Sequence, residues 1–295
     1  VMYGRRRVGK TRLLSEFCKD KNAIFFVAEE YNDKMALERF SRKILEHYDM
    51  DEWIQGFDSW EKAFLFLNQK AKEQPLVLIM DEFPYIAAAN RSIPSLMQNL
   101  IDHQLKYSKL FIVVCGSSMS FMGKEILSYK SPLYGRRTAQ MKIEPFNFVD
   151  SIKFFPNYSL EDKVLAYGIV GGIPQYLLKF NDAFSVEENI KNQILDKSSY
   201  LYEEPATLLK QELREPALYN SIIEVIATGS SKLNEIATRV GEDSSKCSNY
   251  IKSLIEFQIV EKKVPVGEKE SSRKTIYSIK DHLFRFWYRF IFNNI

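Results

Sequence analysis

The stretch "YGRRRVGKTR" (Tyr3–Arg12) lies almost at the beginning of the sequence and decides the fold class. Its spacing, Gly4-x-x-x-x-Gly9-Lys10-Thr11, fits the phosphate-binding loop pattern, in which backbone N–H groups surround a triphosphate. The glycines permit backbone angles and close approaches that a Cβ would block. The pattern predicts that nucleotide phosphates are bound by Gly4, Arg5, Arg6, Arg7, Val8, Gly9, Lys10, Thr11 and Arg12.

The segment that follows the loop, "TRLLSEFCKD", has the pattern of a helix, because Leu13, Leu14 and Phe17 fit one helix face. The phosphates would then meet the N-terminus of this helix, which carries a partial positive charge. In this arrangement we expect Lys10 to reach the β- and γ-phosphates and the Thr11 hydroxyl to bind magnesium.

A second motif, "QPLVLIMDEFPYI", places an uninterrupted apolar run directly before Asp81 and Glu82. Such a run predicts a buried parallel strand, and open α/β sheets bind ligands at the carboxyl ends of their strands. We expect Asp81 to hold magnesium and Glu82 to orient or deprotonate the attacking water. Carboxylates after a strand are also common on ordinary surfaces, but the two motifs together favour a nucleoside triphosphatase.

Two later segments place further polar candidates near the same sheet edge. The predicted strand "KLFIVVCGSS" delivers Ser117 and Ser118, one of which would touch the γ-phosphate or the water, or would instead cap the next helix. "SPLYGRRTAQMKIEPF" places Arg136 and Arg137 before another short strand. One of these arginines would sense the γ-phosphate or act as an arginine finger; the alternative is an ordinary solvated pair.

Composition limits the class of protein. The 41 basic and 38 acidic residues give a net charge of only +3, so the overall charge does not indicate binding to nucleic acid or to an anionic membrane. Three widely spaced cysteines, Cys18, Cys115 and Cys247, argue against a zinc site or a disulfide framework. Without an apolar run long enough to span a membrane, or a signal peptide, the sequence predicts a protein of the reducing cytoplasm.

The two ends of the sequence predict a piece of a longer protein. Only Val1-Met2-Tyr3 remain of the strand that should precede the loop. The other end, "FRFWYRFIFNNI", is mostly aromatic, and we expect it to need a partner surface that buries it.

Alternating strand and helix patterns predict an α/β core at 1–155, with a parallel sheet that helices cover on both faces. The pattern then turns helical, and we expect a helical lid at 156–212. Within it, "YGIVGGIPQYLLKF" contains a turn that would place Pro174 near the nucleotide base. The alternative is a plain turn between two helices.

The sequence of residues 213–282 predicts three short amphipathic helices and two strands, which are the elements of a winged helix. Residues 283–295 would begin a C-terminal segment. Such a module either binds duplex DNA through its third helix or packs against protein. That helix offers only Lys246 and Lys252 as cations, a weak footprint for phosphate contact.

Seven ordered motifs along essentially the whole chain resemble the archaeal-type P-loop ATPases, which are related to AAA+ proteins and placed in the STAND class of signal-transducing ATPases. The motifs are "YGRRRVGKTRLL", "LIMDEFPYI", "CGSSMSFM", "SPLYGRRT", "GGIPQYLL", "ELREPALYNSI" and "LFRFWYRF". The last one is similar to the entry of a nuclease-like domain that some members carry.

The resemblance implies ATP and Mg²⁺ as ligands of an ATPase core, followed by a lid and a winged helix. It places phosphate binding on Gly4 to Thr11, magnesium on Asp81, the water on Glu82, and γ-phosphate sensing on Arg136 or Arg137. It also implies a nucleotide-dependent switch with slow hydrolysis and a protein partner or self-association. The segment that in relatives precedes the loop and contributes to the base pocket is missing from this sequence.

Overall fold

The computed structural model of the protein describes residues 1–52, 55–213, 215–269, 272 and 274–294. Arg214 of the sixth motif, and Glu270 and Arg273 of the predicted wing, lie outside the described residues. The contacts divide the chain into two compact units, Val1–Glu144 and Pro145–Ile295. Among the described helices, none has the length and apolar composition of a membrane span.

The first unit alternates strands and helices, as predicted. Its elements are β1 (Met2–Tyr3), α1 (Lys10–Cys18), β2 (Ala23–Val27), α2 (Asp33–His47), α3 (Trp60–Glu73), β3 (Leu76–Asp81), α4 (Phe83–Ala89), α5 (Ile93–Leu100), β4 (Leu110–Gly116), α6 (Met119–Phe121) and β5 (Met141–Lys142).

The five strands described in the first unit are parallel and lie in the order β2-β3-β4-β1-β5. Met2 of β1 pairs with Cys115 of β4 and with Met141 of β5. Because the strands are parallel, their carboxyl ends meet at one edge of the sheet. The segments after β1, β3 and β4, which contain the predicted site residues, are therefore neighbours.

Helices cover both faces of the sheet, which confirms the predicted α/β architecture. One face buries Ile24, Leu78 and Met80 against helices α2 to α5, with Phe40 and Phe64 at the centre of that core. The opposite face has a smaller core of Met2, Leu14, Ile79, Val113 and Cys115, under helix α1. The apolar runs of β3 and β4 are thus explained by burial on both faces.

The second unit consists of helices and one hairpin. Its elements are α7 (Phe148–Ser151), α8 (Leu160–Val170), α9 (Pro174–Leu177), α10 (Val186–Ile190), α11 (Tyr200–Glu212), α12 (Pro216–Ala227), α13 (Leu233–Val240), α14 (Ser244–Glu256), β6 (Val260–Lys263), β7 (Ile276–Ile279) and α15 (His282–Phe290).

The three helices and two strands predicted for residues 213–282 are present as α12, α13, α14, β6 and β7. The strands pair antiparallel, with Val260 opposite Ile279. Helix α13 ends at Gly241, whose left-handed φ of 80° stops the helix. These elements share one hydrophobic core with the helices from Phe155 onward, so the segments predicted as lid and winged helix belong to the same unit.

The aromatic run near the end of the sequence packs inside the second unit. Phe284, Trp287 and Tyr288 of α15 are buried, and the Tyr288 hydroxyl donates a hydrogen bond to Asn220 of α12. The expectation that this run needs a partner surface is therefore wrong for these side chains. Their helical spacing places them on the inner face of α15, whereas Phe290 remains exposed.

A close backbone approach fixes the turn between α8 and α9. The N–H of Phe146 donates to the carbonyl of Gly172 at 2.8 Å. A Cβ built on Gly172 would overlap the Phe146 carbonyl oxygen and lie 2.7 Å from its carbonyl carbon. Since both obstacles are backbone atoms, only glycine fits without a shift of the chain.

We therefore expect Gly172→Ala to lower the free energy of unfolding by about 1–3 kcal/mol, the usual cost of overpacking. The matched control is Gly168→Ala within α8, where a built Cβ meets nothing within 4 Å. That change should raise stability by roughly 0.5–1 kcal/mol, because alanine loses less entropy in a helix. Urea unfolding followed by circular dichroism measures both, and equal effects of the two substitutions would contradict the packing argument.

Candidate nucleotide-binding site

The phosphate-binding loop connects β1 to α1 and wraps the N-terminus of that helix. Gly4 lies against Ile143, the residue that follows β5, and a Cβ on Gly4 would collide with the Ile143 carbonyl. Arg7 and Gly9 both adopt left-handed conformations, with φ of 73° and 87°. These angles turn the chain tightly before Lys10, the first residue of α1. The first turn of α1 therefore directs its N–H groups toward the loop, as anion binding requires.

The side chain of Lys10 lies inside the loop and contacts its backbone. Its side chain is buried, and its Nζ donates to the carbonyl oxygens of Gly4 at 2.9 Å and Arg5 at 3.0 Å. Burial lowers the pKa of Lys10, and the neighbouring carboxylates of Asp81 and Glu82 act in the opposite direction. The ammonium is thus held at the centre of the loop by neutral carbonyls, which a phosphate could replace.

Thr11 and Asp81 bring the two sequence motifs into direct contact. The Thr11 Oγ1 donates to Asp81 Oδ2 at 2.6 Å, and the backbone N–H of Glu82 donates to Asp81 Oδ1 at 2.9 Å. Asp81 is almost completely buried. A hydroxyl and a carboxylate oxygen beside a phosphate loop are the protein ligands that Mg²⁺ usually takes in such sites, so these residues fit the ion.

Glu82 follows Asp81 in an unusual backbone conformation. Its φ of 51° and ψ of 39° are left-handed, which is uncommon for a residue other than glycine and costs free energy. Its Oε2 accepts a hydrogen bond from Ser117 Oγ at 2.8 Å. The turn and the serine together fix the direction of the carboxylate.

The two serine candidates have different contacts. Ser117 is buried and reaches Glu82. Ser118 accepts a hydrogen bond from the N–H of Phe121 and caps α6. Of the two alternatives, the cap is formed by Ser118, whereas contact of Ser117 with the γ-phosphate or the water remains a prediction.

Arg136 and Arg137 are engaged by other partners. Arg136 forms a bidentate pair with Asp102, with Nε at 3.0 Å and Nη2 at 2.8 Å from the carboxylate. This pairing lowers the pKa of Asp102 and raises that of Arg136. Arg137 donates to the side chain of Gln140 and to a backbone carbonyl. Among the described residues, neither guanidinium bonds to the loop, to Asp81 or to Glu82.

The remaining predicted residues are distributed over the loop and the second unit. Arg5 and Val8 are buried, and Arg6 and Arg7 are half-buried. Arg12 is exposed and pairs with Glu16 at 2.8 Å. Pro174 is at the first position of α9, in the second unit, and its role beside the base remains a prediction.

Cys115 lies beside the site, although no motif in the sequence indicates it. This residue is fully buried in β4 beside Asp81, and burial, then the Asp81 carboxylate, raises the pKa of its thiol. The thiol therefore stays neutral and packs beneath the acidic edge. Only the register of β3 and β4, in which Met80 pairs with Val114, could have indicated this position.

These features define a P-loop nucleotide-binding protein, and comparison with known proteins gives the family. Residues 1–180 match the family model described as an ATPase domain predominantly from Archaea. The match covers more than half of the chain, and the chain belongs to this family of AAA+-related P-loop ATPases.

Two relatives come from Methanocaldococcus jannaschii. The uncharacterized protein MJECL04 is 37% identical over 295 residues, which is 100% of this chain and 64% of the relative. The uncharacterized protein MJ0424 is 36% identical over 55 residues, covering 19% of this chain and 53% of the relative. The chain thus spans less than two thirds of the length of either relative.

A solved structure with the same fold is the Walker-type ATPase PABY2304 of Pyrococcus abyssi. It superposes with a TM-score of 0.69 over 98% of this chain and 90% of that one, at 19% identity. At this identity the likeness shows the fold, a parallel α/β sheet flanked by helices.

The contact between Thr11 and Asp81 can be tested in the absence of nucleotide. We expect Thr11→Val to lower the free energy of unfolding by about 1–2 kcal/mol, because the buried carboxylate loses a donor. Thr11→Ser keeps the hydroxyl and should retain most of the stability. Urea unfolding in nucleotide-free buffer compares the two variants, and a Thr11→Val protein as stable as the wild type, or a larger loss in Thr11→Ser than in Thr11→Val, would contradict the hydrogen-bond argument.

Proposed function

We propose that the protein is an ATP-hydrolysing switch of the STAND class, with ATP and Mg²⁺ bound at the sheet edge. The observation that carries this proposal is the convergence of Lys10, Thr11, Asp81 and Glu82 from two distant motifs. Three contacts support it: Lys10 donates to the Gly4 carbonyl inside the loop, Thr11 donates to Asp81, and Glu82 accepts from Ser117.

In this proposal the loop N–H groups and Lys10 bind the β- and γ-phosphates, and Lys10 exchanges its two carbonyl partners for phosphate oxygens. Thr11 and Asp81 would hold Mg²⁺, which supplies charge neutralisation on the phosphates when bound. Because Oε2 of Glu82 accepts the Ser117 hydrogen bond, Oε1 is the atom that would take the proton of the attacking water. Ser117 is then a positioning residue.

Arg137 is the better candidate of the two arginines for sensing the γ-phosphate. The bidentate, charge-assisted pair with Asp102 holds Arg136 more strongly than the neutral groups hold Arg137. Recruiting Arg137 to the nucleotide would break hydrogen bonds to an amide and a carbonyl only. An arginine from a neighbouring subunit would be the other source of this charge.

The output of the switch would come from the second unit. In the proposed division, residues 156–212 form the lid, with Pro174 near the base, and residues 213–282 form a winged helix. A change in nucleotide state would alter the association of these elements with a protein partner or a second copy in the cytoplasm. Such a role requires only slow turnover, since the bound state itself is the signal.

The role of Glu82 is tested by Glu82→Gln. The amide cannot accept a proton, so we expect magnesium-dependent ATP turnover to fall by about 100-fold or more while ATP still binds. Glu61→Gln, at an exposed position in the first turn of α3, is the control and should leave turnover unchanged. Phosphate release and binding of a fluorescent ATP analogue measure the two quantities, and unchanged turnover in Glu82→Gln would remove this residue from the mechanism.

Lys10→Ala completes the experiment, because it should abolish nucleotide binding itself. If the folded wild-type protein, with any flanking sequence restored, binds no ATP, the protein should be reconsidered as an interaction scaffold. If it binds ATP but hydrolyses none, the site is a binding switch only.

A second candidate function is duplex DNA binding through α12, α13, α14 and the β6-β7 hairpin. The observation in its favour is the polar stripe on α14, where Ser245, Asn249 and Lys252 are exposed at helical spacing. Its charge is weak, since Lys246 pairs with Glu242 at 2.8 Å and Lys252 lies in the same helix as Glu256.

If this surface contacts DNA phosphates, affinity should fall steeply with salt, by a slope of about 0.9 in logarithmic units per phosphate neutralised. Lys252→Glu should weaken binding at all sequences and reduce that slope by about one unit. Fluorescence anisotropy of a labelled duplex at several salt concentrations measures both. Binding without salt dependence, or no binding at low salt, would favour the protein-packing alternative.

A further inference from the structure

Strand β2 is an edge strand with a free row of backbone groups. It pairs with β3 on one side, and among the described residues no strand lies on its other side. The N–H of Ala28 donates to Asp81, and the carbonyl of Asn22 accepts from Val77, both in the direction of β3. Backbone N–H and C=O groups alternate in direction from one residue to the next along a parallel strand. Those of Ala23, Phe25 and Val27 therefore point outward from the free edge, in the plane of the sheet.

A groove runs between this free edge and helix α2. Its volume is about 260 Å³, and its lining residues are Phe25, Phe26, Val27, Arg39, Arg42, Lys43 and Glu46. Helix α2 follows β2 in the opposite direction, since His47 contacts Asn22 at 2.8 Å and Arg39 contacts Glu29 at 3.3 Å. Of strand β2, the groove is lined by Phe25 to Val27, the second half of the strand.

The two sides of the edge differ in chemistry. On the side of α2, three cations line the groove together with one carboxylate, Glu46. Arg42 is exposed and forms no ion pair or hydrogen bond with a described residue, whereas Lys43 lies 4.0 Å from Glu46. On the opposite side of the strand, Val27 is 48% exposed and Phe25 is half-buried. One side is thus basic and the other apolar.

We propose that this groove binds an extended segment of a partner protein, which pairs with β2 as a sixth strand. Successive side chains of such a segment point to opposite faces of the sheet. One set would lie beside Arg42 and Lys43, and the other beside Phe25 and Val27. The segment that fits alternates acidic and apolar residues.

The free backbone groups favour a polypeptide over a nucleic acid. A nucleic acid strand would satisfy the cations, but it offers neither a matching ladder of N–H and C=O groups nor apolar side chains for Val27. The proposed groove is distinct from the ATPase site. The groove and the ATPase site are nevertheless close, because Val27 of β2 is in register with Asp81 of β3. A segment bound to β2 would therefore be separated from β3, which carries Asp81, by the single strand β2.

The test uses a fluorescein-labelled hexapeptide of alternating glutamate and valine, titrated with the protein and followed by anisotropy. A peptide of alternating lysine and valine is the charge-reversed control. We expect saturable binding of the glutamate peptide, and a loss of about tenfold or more in affinity when Arg42→Glu and Lys43→Glu are combined, since opposing like charges repel. Both side chains are exposed, so the double variant should keep its fold.

The backbone ladder is tested by Val27→Pro, which removes one outward N–H and leaves the bonds to β3 intact. We expect about a tenfold loss with proline, while Val27→Thr, which keeps the N–H and the shape, should stay within about twofold of the wild-type affinity. If proline lowers the melting temperature, the decision rests on the charge-reversal variant. No binding of the glutamate peptide, equal binding of the lysine peptide, or displacement of the bound peptide by a single-stranded oligonucleotide would overturn the proposal.

Discussion

The hydrogen bond of 2.6 Å from Thr11 to Asp81 joins two motifs that are 70 residues apart in the sequence. It forms only if β1 and β3 end at the same edge of the sheet, so it depends on the parallel register of the whole first unit. The buried carboxylate in turn requires its two donors, because an unpaired buried charge would be costly. The same contact therefore stabilises the first unit and holds a hydroxyl and a carboxylate side by side at the edge of the sheet.

A second constraint acts on the residue that follows. Glu82 leaves the strand with a left-handed backbone, and its N–H turns back onto Asp81. A β-strand would otherwise direct the side chains of successive residues to opposite faces. The turn allows both carboxylates to serve one site, and the hydrogen bond from Ser117 of the neighbouring strand end fixes the second one. The free-energy cost of the left-handed conformation at Glu82 is thus explained by the placement of the two carboxylates that it produces.

The parts of the fold that could be predicted from the sequence are those with local signals. The loop spacing predicted β1, the turn and α1, and the apolar run before Asp81 predicted β3. Contacts between distant residues gave no such signal. Nothing in "SPLYGRRT" indicates that Arg136 pairs with Asp102, 34 residues earlier, because that pair depends on how α5 and the later loop pack. The burial of the aromatic run in α15 was not predicted for the same reason, because it depends on packing against helices α8 and α12.

The state of Lys10 bears on how the site could respond to a nucleotide. A buried ammonium loses solvation, and in the structure two backbone carbonyls replace part of the water. These carbonyls are neutral, so they stabilise the charge less than a phosphate would. Binding of a triphosphate would then relieve the desolvation of Lys10 and bring an anion to a helix N-terminus at the same time. The two carbonyls, of Gly4 and Arg5, would lose their donor in that step, and the loop that carries them lies directly on β5. A phosphate bound there would therefore change the hydrogen bonding of the backbone between β1 and α1, where Gly4 lies against Ile143.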